Sequence, residues 1–163
     1  MDVPGVLDNG ISLNAVTVDK NFVKNMGMTL LHGRHFTETD LKLVSKKAMN
    51  ERKYAFIINT QVVSTLLLAD YESAIGLDVS VNGRKGKIVG IIEDFHSSSL
   101  HNKINPMVLM LEPNQYNKLF IKLNTNDLQK SILGIEEEWK RLMPDRPFVF
   151  EFMDDEYEAL YRS

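Results

Sequence analysis

The strongest constraint on the fold is a pair of β-rich runs joined by Asn82-Gly83. The runs are Leu77–Val81 and Lys87–Ile92, and both are rich in branched apolar residues that favour strands. Asn-Gly tolerates the positive φ angles that a two-residue hairpin turn requires. The second run ends abruptly in the polar pair Glu93-Asp94. The segment therefore predicts an antiparallel hairpin whose second strand leads into a polar loop.

Other segments add both helices and strands around this hairpin. Ala55–Asn59 is a compact apolar run, as expected of a strand covered on both faces. Thr37 with Asp40 three residues later resembles the start of a capped helix, and apolar residues recur at helical spacing along Asp127–Met143. Alternating residues predict two further strands, over 118–123 and 148–152. The mixture predicts an α+β fold, a mixed sheet packed by helices.

Composition excludes several classes of protein. The 163 residues carry a formal net charge of −3 and 44% hydrophobic residues, which is typical of a globular chain and gives no electrostatic reason to expect nucleic acid. Cysteine is absent, so disulfides and thiolate metal sites are excluded. No apolar run approaches the roughly 20 residues that span a bilayer. The most basic patch is predicted to be a solvated helix face, and it contains Lys42, Lys46, Lys47, Arg52 and Lys53.

Four segments, in chain order, carry a family resemblance. They are Asp19 to Phe36, which ends in Gly33-Arg34-His35-Phe36; Ile57-Ile-Asn59 with Ala74-Ile-Gly76; Gly86 to His96, reading GKIVGIIEDFH, with Ser99-Leu100 and Pro106-Met-Val-Leu109; and Pro147 to Tyr161. Together they resemble the extracytoplasmic core domain of MacB-like and FtsX-like ABC transporter permeases, in the form found in Bacteroides-type bacteria. The resemblance covers nearly the whole chain.

The resemblance implies a single extracytoplasmic domain over residues 1–163 with two lobes. A membrane-proximal α/β lobe would contain 1–53 and 106–163, and a smaller β-rich lobe, 54–105, would be inserted into it. The residues that carry the family pattern are expected to be structural, and we call them the motif residues: Gly33, Arg34, Phe36, Asn59, Gly76, Gly90, Asp94, Phe95, His96 and Pro106.

The implied function is mechanical and not enzymatic. The domain would stand on the periplasmic face of the inner membrane and transmit conformational change from a cytoplasmic ABC ATPase to an export substrate or partner protein. Its partners would be its own transmembrane helices, the ATPase, and a second permease copy or a periplasmic protein. No cofactor, metal or nucleic acid is expected. The export substrate is not indicated by the sequence.

Two other functions are open at this stage. The first is a soluble module that binds a small ligand in a pocket between two lobes. The second is a small hydrolase in which Asp94 orients His96, although no nucleophile is singled out and a capping role for Asp94 is favoured. Arg34 is predicted to clamp segments together by pairing with Asp40 or Asp94, so that Arg34→Ala should lower thermal stability.

Overall fold

The computed structural model describes residues 1–4, 10–46, 48–94 and 105–152. The chain divides into two compact units, one formed by Met1–Ser97 and Asn102–Leu119 and the other by Ser98–His101 and Phe120–Ser163. The predicted α+β class is confirmed, because a mixed sheet and α-helices occur together. No helix in the described part of the chain is long and apolar enough to cross a membrane.

The first unit contains one six-stranded mixed sheet. Its strands are β1 (Asn14–Thr17), β2 (Leu30–Gly33), β3 (Tyr54–Asn59), β4 (Asp78–Val81), β5 (Arg84–Ile92) and β6 (Met107–Met110). The strand order is β1-β6-β3-β5-β2, and β4 also pairs with β5. Pairing is parallel between β1 and β6 and between β3 and β5, and antiparallel elsewhere. Strands of both predicted lobes share this sheet, and the lobe boundaries stay a prediction.

The predicted hairpin is confirmed as the pair β4–β5. Asn82 and Gly83 have φ values of 50° and 77°, the two positive angles that a tight hairpin turn needs. On one edge, strand β5 pairs with β4 along its first half and with β2 along its second half. On its other edge it pairs with β3. The hairpin therefore places β5 in the interior of the sheet.

Among the described residues of the first unit there are three α-helices: α1 (Phe22–Asn25), α2 (Glu38–Val44) and α3 (Thr60–Thr65). The predicted capping box is present at α2, where the Thr37 hydroxyl and the Asp40 carboxylate exchange hydrogen bonds with each other's backbone N–H groups. Helices α2 and α3 both contact β3. All six residues of β3 are buried, so this strand lies at the centre of the core, as its unbroken apolar run predicts.

The second unit contains α4 (Leu128–Leu142), close to the predicted range, with Asp127 accepting a hydrogen bond from the Lys130 N–H at its start. The strands predicted over 118–123 and 148–152 are wrong, since the structure assigns neither as a strand. Alternation instead places Phe148 against Trp139 and Phe150, with ring centroids 6.3 and 5.5 Å apart. Alternation decides which side chains share a face, but it does not by itself make a strand. The sequence also predicts a short amphipathic helix over 154–162, and this range lies outside the described residues.

Gly33 offers a direct test of the sheet geometry. Its φ is +77°, and a Cβ there would lie 2.3 Å from the Val89 carbonyl oxygen. We expect Gly33→Ala to lower the free energy of unfolding by at least about 3 kcal/mol, because left-handed strain adds to displacement of a sheet backbone. Urea unfolding followed by circular dichroism measures this.

Gly27→Ala is the matched control. Gly27 has a similar φ of +68°, but a Cβ there meets nothing within 4 Å. Gly27→Ala should lower the free energy of unfolding only by the cost of the left-handed backbone, about 1–2 kcal/mol. Equal losses in the two variants would show that the close approach of Gly33 to β5 does not matter.

Candidate functional site

The motif residue Arg34 forms an ion pair with Asp40. Arg34 donates from Nη1 to Asp40 Oδ2 at 2.6 Å and from Nη2 to Asp40 Oδ1 at 3.0 Å, a two-pronged ion pair. Arg34 follows β2 directly, and Asp40 lies in the first turn of α2, so the pair ties the sheet to the helix. Of the two predicted partners, Asp40 is therefore correct and Asp94 is not.

Asp40 is buried, and its ion pair sets its electrostatics. Its side chain is 7% exposed, whereas that of Arg34 is 48% exposed. Burial raises the pKa of Asp40, but hydrogen bonds from Arg34 and Thr37 and the charge of Arg34 outweigh burial, so the pKa lies below its usual value. The pKa of Arg34 is raised by the same hydrogen bond. The pair is therefore charged at neutral pH.

Two other motif residues, Asp94 and Asn59, lie at the end of the sheet where β3 and β5 finish. Asp94 accepts hydrogen bonds from the Gln61 backbone N–H at 3.3 Å and from Gln61 Nε2 at 2.7 Å. It therefore caps the first turn of α3. The cap predicted from the sequence was for the loop that follows Asp94, and that loop lies outside the described residues. Asn59 is fully buried and joins β3 to the start of β6, because Asn59 Nδ2 donates to the Asn105 carbonyl and Asn59 Oδ1 accepts from the Met107 N–H.

The remaining motif residues fill backbone and core positions. Phe36 is buried, and Gly90 lies opposite Gly33, where a Cβ would come within 2.6 Å of the Arg34 carbonyl oxygen. The Pro106 carbonyl accepts from the Asn14 N–H at 2.9 Å, and the Gly76 N–H donates to the Ile88 carbonyl at 2.8 Å. Phe95 and His96 lie outside the described residues, so the Asp94–His96 pairing stays a prediction.

A second polar cluster was not found from the sequence. Glu112 follows β6 and is only 3% exposed. Its Oε1 accepts from Arg52 Nη1 at 3.2 Å, and its Oε2 accepts from Arg84 Nε and from the Tyr54 hydroxyl, each at 2.9 Å. The Arg84 guanidinium also lies 6.0 Å from the centroid of the Tyr54 ring. We call these four residues the Glu112 cluster.

The Glu112 cluster corrects the interpretation of the basic patch. Arg52 is not part of a solvated helix face, since its side chain is 14% exposed and directed to Glu112. The sequence contains one signal for the cluster: Glu112 comes directly after an apolar run. A carboxylate buried at such a position needs a cationic partner. Nothing local to the sequence shows that residues 52, 84 and 112 meet.

Comparison with solved structures identifies the fold. The chain is similar to the periplasmic region of MacB from Actinobacillus actinomycetemcomitans, with a TM-score of 0.63 and 11% identity over 91% of this chain and 65% of that chain. It is also similar to a domain of a candidate permease protein from Porphyromonas gingivalis, with a TM-score of 0.51 and 16% identity over 88% of this chain and 73% of that chain. No protein-family model and no curated protein matches the sequence.

The fold predicted from the resemblance is thus confirmed: this chain has the fold of the MacB periplasmic region. It spans just under two thirds of that region's length. At 11–16% identity the similarity establishes the fold and leaves function to be proposed.

We expect Arg34→Ala to lower the free energy of unfolding by about 1–3 kcal/mol, because it leaves the buried Asp40 carboxylate without its cation. The melting midpoint measured by calorimetry should fall by several degrees. Lys20→Ala is the matched control. It removes an exposed ion pair between Lys20 and Glu38, which lies in the same helix as Asp40. This variant should lower the free energy of unfolding by about 0–1 kcal/mol. Equal effects of the two variants would contradict the clamp.

The Glu112 cluster predicts a pH dependence of stability. Burial raises the pKa of Glu112, but the hydrogen bonds from Arg84 and Tyr54 and the charges of Arg84 and Arg52 outweigh burial and hold the pKa below its usual value. A lowered pKa stabilises the fold above the unfolded-state value of about 4.3, and the stabilisation is lost as the pH falls through the folded-state value.

The measurement is urea unfolding of the wild type and of Glu112→Gln from pH 7 to pH 3. We expect the wild type to be the more stable protein at pH 7, and the difference to shrink below about pH 4 as Glu112 takes up a proton. A difference that stays constant down to pH 3 would show that the charge of Glu112 does not support the fold.

Proposed function

We propose that this chain is a non-catalytic extracytoplasmic domain of an ABC transporter permease. Its role is to transmit conformational change from a cytoplasmic ATPase to an export substrate or a partner protein. The observation that carries this proposal is the fold shared with the MacB periplasmic region over 91% of the chain. The sequence pattern of the motif residues supports the same assignment independently of the coordinates.

The described polar groups of the motif support a mechanical role. Arg34 is engaged by Asp40, Asp94 is engaged by Gln61, and Asn59 is engaged by the backbone at the start of β6. Each of these contacts joins two elements of secondary structure. Side chains used in this way stiffen the sheet and its helices, and a domain that passes on a displacement needs such stiffness.

The partners and location follow from this proposal. The domain would be held by transmembrane helices of its own polypeptide at the periplasmic face of the inner membrane. The ATPase, on the cytoplasmic side, would act through those helices, and a second permease copy or a periplasmic protein would receive the motion. The alternative function, binding of a small ligand between two lobes, stays a prediction.

Cysteine labelling tests the location, because the chain has no cysteine of its own. Lys85 is exposed on β5, and Ala74 is completely buried. In the protein expressed from its complete gene, with cysteines elsewhere replaced, we expect a membrane-impermeant maleimide to label Lys85→Cys once the outer membrane alone is permeabilised. Ala74→Cys should be labelled only after denaturation.

Labelling of Lys85→Cys only after the inner membrane is broken would contradict an extracytoplasmic domain.

The transmission role needs a second readout in the purified full-length protein with its ATPase. A nitroxide on Lys85→Cys should change its mobility, or its distance to the label in a second copy, when ATP is trapped. Identical spectra with trapped ATP and with ADP would contradict transmission and leave the location untouched.

A further inference from the structure

The Glu112 cluster brings two arginines to one end of the sheet. Tyr54 begins β3 and Arg84 begins β5, whereas Glu112 follows the end of β6, and Arg52 precedes β3 by two residues. Because β3 and β5 are parallel and β6 is antiparallel to β3, these positions share the same end of the sheet. This end lies opposite the one held by Asn59 and Asp94.

The charges of the cluster do not balance. Arg52 and Arg84 contribute two positive charges and Glu112 one negative charge. Among the described residues, no other carboxylate forms an ion pair with either arginine. The side chains of Arg52, Arg84 and Glu112 are only 14%, 19% and 4% exposed. An excess positive charge in such a poorly hydrated place is costly unless an anion approaches it.

The arginines also retain donors for such an anion. Arg52 uses Nε on the Lys46 carbonyl and Nη1 on Glu112, and Arg84 uses Nε on Glu112. In the described part of the chain, no acceptor is hydrogen-bonded to Arg52 Nη2. Arg84 also has a side-chain contact with the Tyr54 hydroxyl, and Glu112 and Tyr54 together engage only some of its five N–H donors. A guanidinium edge is planar and matches the two oxygens of a carboxylate.

We propose that the Glu112 cluster binds the carboxylate group of a ligand. One carboxylate supplies the single negative charge that neutralises the cluster, whereas a phosphate would bring nearly two. Glu112 sets the site by fixing both guanidiniums: each of its oxygens is held by one arginine. The proposal concerns the cluster alone and does not depend on the transporter assignment.

The test uses sodium acetate as a carboxylate probe on the 163-residue chain. Side-chain Nε–H signals of arginine are followed by NMR while acetate replaces chloride at constant ionic strength. We expect saturable shifts of the Arg52 and Arg84 signals. Arg84→Gln should weaken the acetate response of Arg52 at least tenfold.

Lys85→Gln is the matched control. It removes the same charge from the adjacent position, but neighbouring strand residues point to opposite faces of the sheet, so acetate binding should be unchanged. If Arg84→Gln does not fold, Arg52→Gln, read out on the Arg84 signal, replaces it. The titration of the wild type also decides the outcome by itself. The proposal is overturned if the Arg52 and Arg84 signals stay where they are in chloride, or if their shifts do not saturate with acetate. Saturation by phosphate but not by acetate would overturn the carboxylate assignment.

Discussion

The backbone pairing of β5 is the constraint on which the rest of the first unit depends. This strand is hydrogen-bonded on one edge to β3 and on the other edge to β4 and then to β2. Such an arrangement is possible only because two partners divide one edge of a nine-residue strand between them. The close approach of Gly33 to Gly90 lets the second partner join. Without a strand paired along its length on both edges, the sheet would separate at β5.

Polar side chains complete the two ends of this sheet. At one end, Asn59 and Asp94 satisfy backbone groups where strands give way to a helix and to the start of β6. At the other end, Glu112 collects donors from Arg52, Tyr54 and Arg84. Buried polar groups are costly when unpaired, so each of these networks also fixes which strands must be neighbours. A sheet held at both ends in this way is suited to move as one body, which is the property that a transmitting domain requires.

Local signals were sufficient for several parts of the fold. The Asn82-Gly83 turn, the capping box at α2 and the range of α4 are all confirmed, because each depends on residues close together in the chain. The order of four motif segments was enough to anticipate the fold of the MacB periplasmic region. At 118–123 and 148–152 alternation predicted strands that the structure does not assign, since alternation fixes only which side chains share a face.

The sequence by itself determined the turn, the starts of α2 and α4 and the apolar centre of β3, because these follow from dihedral preferences, short-range hydrogen bonds and an unbroken apolar run. The motif residues came from the family resemblance. Only the tertiary structure decided that Asp94 caps α3 and that Arg52 turns inward to meet Arg84 at Glu112. The physical reason is distance along the chain: Arg52 lies 60 residues from Glu112. Contacts of that length are chosen by the register and order of strands, and no local pattern encodes them.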